Sequence, residues 1–220
     1  MLKYPCLILD HDDTVVQSEA TINYPFFCKI LEEYRPGETI TLAEYTRGCF
    51  SPGFAGMCRE RFHFTEQELL DEFQAWLSHV RTHMPPAYPG IDAVIRRQKE
   101  AGGLLCVVSH SSAENITRDY RRHFGILPDA IYSWDLPEAL RKPSTYPLED
   151  IMARYQLKPQ ELLMVDDMKP GYDMASRAGV PIAFAGWGRK NSFEICQQME
   201  RCCDFVFYAA EDLERFLFGA

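Results

Sequence analysis

Asp10, Asp12 and Asp13 place three carboxylates within the four residues that follow the apolar run Cys6-Leu7-Ile8-Leu9. Like charges this close repel, so the cluster calls for a cation among its members, for protonation, or for open solvent. Asp10 and Asp12 are two residues apart and leave an extended chain on the same side, whereas His11 and Asp13 face elsewhere. In such a pair one carboxylate could attack an electrophile while the other, its proton affinity shifted by its neighbour, moves protons, as in aspartyl-phosphate chemistry. Asp166 and Asp167 end a second apolar run, Leu162-Leu163-Met164-Val165, in the same way. Carboxylate oxygens with water suit magnesium, and no histidine or cysteine is placed to favour zinc.

Hydroxyl and basic groups follow other apolar runs. Leu104-Leu105-Cys106-Val107-Val108 leads into Ser109-His110-Ser111-Ser112, hydroxyls and backbone amides at the start of a helical pattern, suited to cradling a phosphate. Arg141-Lys142-Pro143 puts a lysine before a proline-opened helix, where it could neutralise a phosphoryl group. Alone, each feature reads more readily as helix capping or as a solvated side chain. Their succession on strand ends, Asp-x-Asp, then Ser, then Lys, then Asp-Asp, is what points to one site.

The elements that must carry these residues are legible from periodicity. Short apolar runs at Cys6–Leu9, Leu104–Val108, Ala130–Trp134, Leu162–Val165, Pro181–Phe184 and Phe205–Phe207 read as strands. Helical patterns at Ile91–Ala101, Ala113–Phe124, Tyr146–Tyr155, Tyr172–Ala178 and Phe193–Met199 alternate with them, and Gly125 and Gly179 mark helix ends. This is the pattern of an α/β protein with a parallel sheet, whose carboxyl edge binds ligands. Residues 18–83 break the rhythm: they hold no good strand run and several helical patterns, separated by Pro36-Gly37 and Ser51-Pro52-Gly53. Within this helical insert Thr65 caps a helix from Glu66 to His83, Glu68 completes a capping box, and Leu69, Leu70, Phe73, Leu77 and Val80 are expected on one face.

The chain has 220 residues, 46% hydrophobic and 25% charged, close to the globular average. Its 23 basic against 32 acidic residues leave a formal net charge of -9, which repels nucleic acid and anionic membranes overall but allows a local pocket for a small anion. Its eight cysteines include several inside apolar runs, with no signal peptide before Tyr4; reduced thiols in a cytoplasmic protein are expected.

In these motifs the sequence resembles the haloacid dehalogenase superfamily of hydrolases, in its phosphoglycolate phosphatase and β-phosphoglucomutase-like subgroup. Asp10-His11-Asp12-Asp13-Thr14 is similar to the first motif, Ser109 to the second, Lys142 to the third, and Val165-Asp166-Asp167-Met168-Lys169-Pro170-Gly171 to a fourth-motif variant with adjacent acids and a later Gly. The resemblance implies a Rossmann-like parallel-sheet core, residues 1–17 and 84–220, with a helical cap at 18–83 inserted after the first strand. It implies Asp10 as nucleophile, Asp12 as general acid and base, and Ser109, His110 and Lys142 around the phosphate. Mg²⁺ would be held by Asp10, Asp166, Asp167 and, through its backbone carbonyl, Asp12. Asp173 falls out of register with the family's later Asp and reads as a helix-surface residue.

Two positions depart from the family pattern: His11 replaces an apolar residue, and His110 stands where many relatives carry Asn. The implied activity is hydrolysis of a small phosphorylated metabolite by a monomer or weak dimer without nucleic-acid or membrane partners. A sugar-phosphate mutase would use the same motifs. A dehalogenase is disfavoured by the presence of Asp12, and a phosphonatase would want a cap lysine, of which the insert offers only Lys29. Substrate choice is expected to lie in the insert, where Arg47, Arg59 and Arg61 with Phe50 and Phe54 flank Ser51-Pro52-Gly53.

Overall fold

Leu7 and Leu9 point to one side of the first strand and Cys6 and Ile8 to the other, and all four are fully buried. An unbroken apolar run suits a strand covered on both faces, and that is where the chain places it. The computed structural model describes residues 2–219. In chain order the elements are β1 (Cys6–Leu9), a π-helical turn at Glu19–Asn23, α1 (Tyr24–Tyr34), α2 (Leu42–Phe50), α3 (Phe54–Phe62), α4 (Glu66–Thr82) and α5 (Ile91–Glu100). There follow β2 (Leu104–Val108), α6 (Ala113–Phe124), β3 (Ala130–Tyr132), α7 (Tyr146–Tyr155), β4 (Leu162–Asp166) and α8 (Lys169–Ala178). β5 (Ile182–Ala185), α9 (Phe193–Cys202), β6 (Phe205–Phe207) and α10 (Ala210–Phe218) complete the chain.

The chain divides into two compact units, one of the described residues up to Val16 together with those from Ala87 onward, the other Gln17–Pro86, against 18–83 expected for the insert. In the first unit six strands form a parallel sheet in the order β3-β2-β1-β4-β5-β6, a Rossmann-like α/β arrangement. Leu7 and Leu9 pack with Ile91, Ile95, Ile116, Tyr120 and Leu213 from α5, α6 and α10 on one face. Cys6 and Ile8 pack with Leu148, Ile151, Met174 and Ala175 from α7 and α8 on the other. Each fully buried aliphatic side chain contributes about 1.5–3 kcal/mol to holding this sandwich together.

Several elements differ from their sequence reading. β3 stops at Tyr132 rather than Trp134, because Ser133 and Asp135 turn the chain with a hydroxyl-to-carboxylate bond of 2.9 Å. α8 begins at Lys169, three residues before the expected Tyr172, with Pro170 in its first turn. α10 (Ala210–Phe218) adds a helix after the last strand, beyond the elements the periodic pattern marks. α4 keeps its Thr65–Glu68 capping box but turns a different face inward: Leu70 is 58% exposed, whereas Glu72 is 5% exposed. Leu69 and Trp76 pack against the core of this second unit and Val80 is buried, so the inward positions fall at 69, 72, 76 and 80, and an acid occupies one of them. All eight cysteines are free thiols. No helix among the described residues is long and apolar enough to cross a membrane.

Candidate active site

From β1 the chain continues to β2 and β3 on one side and, after β3, crosses to β4 and β5 on the other, so the strand order reverses beside β1. Parallel sheets bind ligands beyond the carboxyl ends of the strands at such a point. Asp10 follows β1 there, and its backbone N–H donates to Val165 of β4 at 2.9 Å, which fixes it beside Asp166. Asp10, Asp166 and Asp167 are all buried, and one carboxylate oxygen from each lies within 4.8 Å of the others. Asp12, partly exposed, stands outside that trio.

The loop after β3 brings Lys142 between two of these acids. Its Nζ lies 2.6 Å from Asp10 Oδ1 and 2.8 Å from Asp166 Oδ2. Burial draws the Lys142 pKa down, but Asp10 and Asp166 outweigh it and the net shift is upward, so the ammonium stays charged. Ser109, buried at the end of β2, accepts from the Ser111 N–H through its Oγ at 3.2 Å. The N-cap of α6 is Ser112, which accepts from Asn115, so Ser109 is not the capping residue. The His110 Nε2 is engaged by the Lys142 carbonyl at 2.8 Å, joining the loop after β2 to the loop after β3. Burial, with the Lys142 charge adding to it, lowers the His110 pKa and keeps the ring neutral.

Parity along β4 separates the adjacent acids. Leu162 and Met164 face α7 and α8, and Asp166 continues that side, where Met168 N–H donates to its Oδ1 at 2.8 Å. Gly171 of α8 packs so closely on Asp166 that a Cβ there would collide with the carboxylate, which accounts for a glycine at this position. Asp167 turns the other way and meets Arg189 from the loop after β5: Nε and Nη2 each lie 2.6 Å from Asp167 Oδ2. Asp167 Oδ1 accepts from Thr14 Oγ1 at 3.3 Å.

Asp13 sits in the left-handed region at φ 56°, which aspartate tolerates better than most residues. It faces Arg189 at 3.6 Å and accepts from the Tyr88 hydroxyl at 3.3 Å, apart from the carboxylate trio. Trp187 Nε1 donates to the Thr14 carbonyl at 2.9 Å, and at Gly188 a Cβ would collide with the Asp13 carbonyl. The Gly186–Arg189 segment is therefore a wall of the site that the motif pattern missed. The available signal was position: it follows the fifth apolar run at the same carboxyl edge.

His11 shares the parity of Leu7 and Leu9 and so faces α6. There its Nε2 meets Asp119 Oδ2 at 3.1 Å, and its ring stacks on Tyr120 at 6.0 Å. Asp119 is a second residue that motif reading missed. In the insert, Arg59 pairs with Glu66 at 2.7 Å and Arg61 with Glu44 at 3.4 Å, while Phe54 packs against that unit's core and Arg47 is exposed on α2. Asp173 pairs with Lys169 on α8.

The donor set fits a hard divalent cation. Asp10, Asp166 and Asp167 bring three buried carboxylates together, with Lys142 beside the first two and Arg189 beside the third. Burial pushes the Asp166 and Asp167 carboxyls upward, against the pull of Lys142 on the first and Arg189 on the second. Oxygen-only ligands of this kind suit magnesium, with no nitrogen or sulfur donor in the group.

A profile of haloacid dehalogenase-like hydrolases matches residues 7–185, which includes every residue placed at this edge up to β5. The chain belongs to that family. This haloacid dehalogenase-like hydrolase is 28% identical over 116 residues to a phosphoglycolate phosphatase of Vibrio vulnificus, an alignment covering 51% of this chain and 48% of that protein. The chain thus spans about half the length of the curated relatives it matches. Two solved structures share the fold: a conserved haloacid dehalogenase-like protein of unknown function from Agrobacterium tumefaciens, 17% identical, with a TM-score of 0.78 over 97% of each chain; and CbbY from Rhodobacter sphaeroides in complex with phosphate, 18% identical, with a TM-score of 0.68 over 97% of this chain and 96% of that one.

Proposed function

We propose that this hydrolase is a magnesium-dependent phosphatase that cleaves a small phosphorylated metabolite through an aspartyl-phosphate. The observation that carries the reading is the buried Asp10, flanked by Lys142 at 2.6 Å and grouped with Asp166 and Asp167 at the strand-order reversal. The phosphoglycolate phosphatase relative supports the substrate class, and the phosphate complex of the Rhodobacter sphaeroides protein supports binding of a phosphoryl group.

In this reading Asp10 attacks phosphorus, the ester P–O bond breaks, and Asp12 gives its proton to the leaving alkoxide. Asp12, now a carboxylate, takes a proton from water, which attacks the aspartyl-phosphate; inorganic phosphate leaves and Asp10 is restored. Lys142 and the Ser109 hydroxyl hold the phosphoryl oxygens, and His110 keeps the Ser109 and Lys142 loops in register through the Lys142 carbonyl. Asp10, Asp166, Asp167 and the Asp12 carbonyl would hold Mg²⁺, whose charge offsets that of the acids and of the phosphoryl group. The Gln17–Pro86 unit is assigned the choice of substrate, and the protein acts in the cytoplasm as a monomer or weak dimer.

The test is a phosphate-release screen over phosphoglycolate, sugar phosphates and nucleoside monophosphates with and without Mg²⁺. Release that requires Mg²⁺ is expected for at least one small ester. Flat activity across the screen would overturn the phosphatase reading, and an isomerised sugar phosphate formed without net phosphate release would make the protein a mutase.

A further inference from the structure

Arg189 has no part in the chemistry above, yet it is 4% exposed and directed at the 1% exposed Asp167. A guanidinium cannot shed its charge at any working pH, so the cation beside Asp167 is permanent. It is also held firmly. Its backbone N–H donates to Gly186 at 3.1 Å, its carbonyl accepts from Ser192 N–H at 2.8 Å and Cys196 Sγ at 3.1 Å, and the neighbouring Trp187 is fastened to Thr14. Two nitrogens of this fixed fork meet Oδ2 of Asp167, while Thr14 holds Oδ1. A divalent cation drawing on the Asp10, Asp166 and Asp167 oxygens therefore has to share Asp167 with a cation already in the protein.

We propose that Arg189 is an internal counter-ion of the metal site, which keeps Asp167 in place when no metal is bound and weakens metal affinity by competing for the same carboxylate. The inference rests on the assignment of Asp10, Asp166 and Asp167 as the residues that hold Mg²⁺. Two consequences separate it from a merely supporting role. A supporting residue, once removed, would let Asp167 drift and metal would bind more weakly; a competing counter-ion, once removed, frees Oδ2 of Asp167 and metal binds more tightly. The coupling is reciprocal, so metal loosens the hold of Arg189 on Asp167 by the same factor.

The experiment is calorimetric titration of Mg²⁺ into the wild type, Arg189→Gln and Arg189→Lys, with thermal unfolding of each in chelator and in Mg²⁺. Arg189→Gln is expected to bind Mg²⁺ about tenfold more tightly, to melt lower than the wild type in chelator, and to gain more from added Mg²⁺. Arg189→Lys keeps the charge and is expected to stay closer to the wild type in affinity. A folded Arg189→Gln protein with unchanged or weaker Mg²⁺ affinity overturns the inference, as does one that stays unfolded in both chelator and Mg²⁺. A wild type that binds no Mg²⁺ sinks the phosphatase reading itself; a wild type that binds it, with no tightening in Arg189→Gln, sinks only the role of Arg189.

Discussion

His11 Nε2 lies 3.1 Å from Oδ2 of Asp119, and both side chains are buried. The contact fastens the loop that carries Asp10 and Asp12 to α6, the helix that follows Ser109. Arg118 holds the other Asp119 oxygen at 2.6 Å, so the carboxylate is paired on both sides. Asp119→Ala leaves a buried imidazole nitrogen unsatisfied and is expected to cost about 2–3 kcal/mol, whereas Asp119→Asn keeps a neutral partner and costs about half of that. Urea denaturation of the two variants measures the difference. An alanine variant as stable as the wild type would mean that the pair does not anchor the loop.

Asp10→Asn removes the proposed nucleophile but keeps the volume, and Lys142 retains Asp166 as a partner at 2.8 Å. Phosphate release is expected to fall by about 10⁴-fold with the circular dichroism spectrum unchanged. A fully active Asp10→Asn protein would rule out the covalent route.

Gly188 has no room for a side chain, because an added Cβ meets the backbone carbonyl of Asp13 rather than a movable side chain. Gly188→Ala must therefore push the Arg189 segment away from the first loop. A stability loss of about 1–3 kcal/mol is expected, together with a fall in kcat/KM. Thermal unfolding and steady-state kinetics check the two effects, and an alanine variant that matches the wild type in both would show that the segment is not held against the loop.

Glu72 is the acid at an inward position of α4, and burial raises its pKa to about 7. The neighbouring Cys58 thiol is pushed up to about 12 by burial and by the Glu72 charge. Folded Glu72 keeps its proton where the unfolded chain has lost it, so its stabilising contribution is complete below the unfolded value near 4.5 and is lost as pH rises toward 7. At about 1.36 kcal/mol per unit, the cost at pH 8 is roughly 3 kcal/mol. Glu72→Gln mimics the protonated form. It should melt close to the wild type at pH 4 and clearly above it at pH 8 in calorimetric scans, and a gap that does not change with pH would contradict the buried charge.

Local physics was legible without coordinates. Apolar runs of strand length and helical periodicity located the alternating elements; Thr65 and Glu68 announced the cap of α4; and acids at strand ends announced the site, because a parallel sheet must present its carboxyl edge to ligands. These are statements about neighbours in the chain. What tertiary structure alone decided are encounters across long separations that no motif marked, above all His11 reaching Asp119 and Arg189 reaching Asp167. None has a periodic signature, since each depends on which loops the strand order brings together. The face of α4 went astray for a related reason. Hydrophobic side chains recur around more than one face of that helix, and packing against α1–α3 selected the face holding Leu69, Trp76 and Val80, with the acid Glu72 carried inward between them.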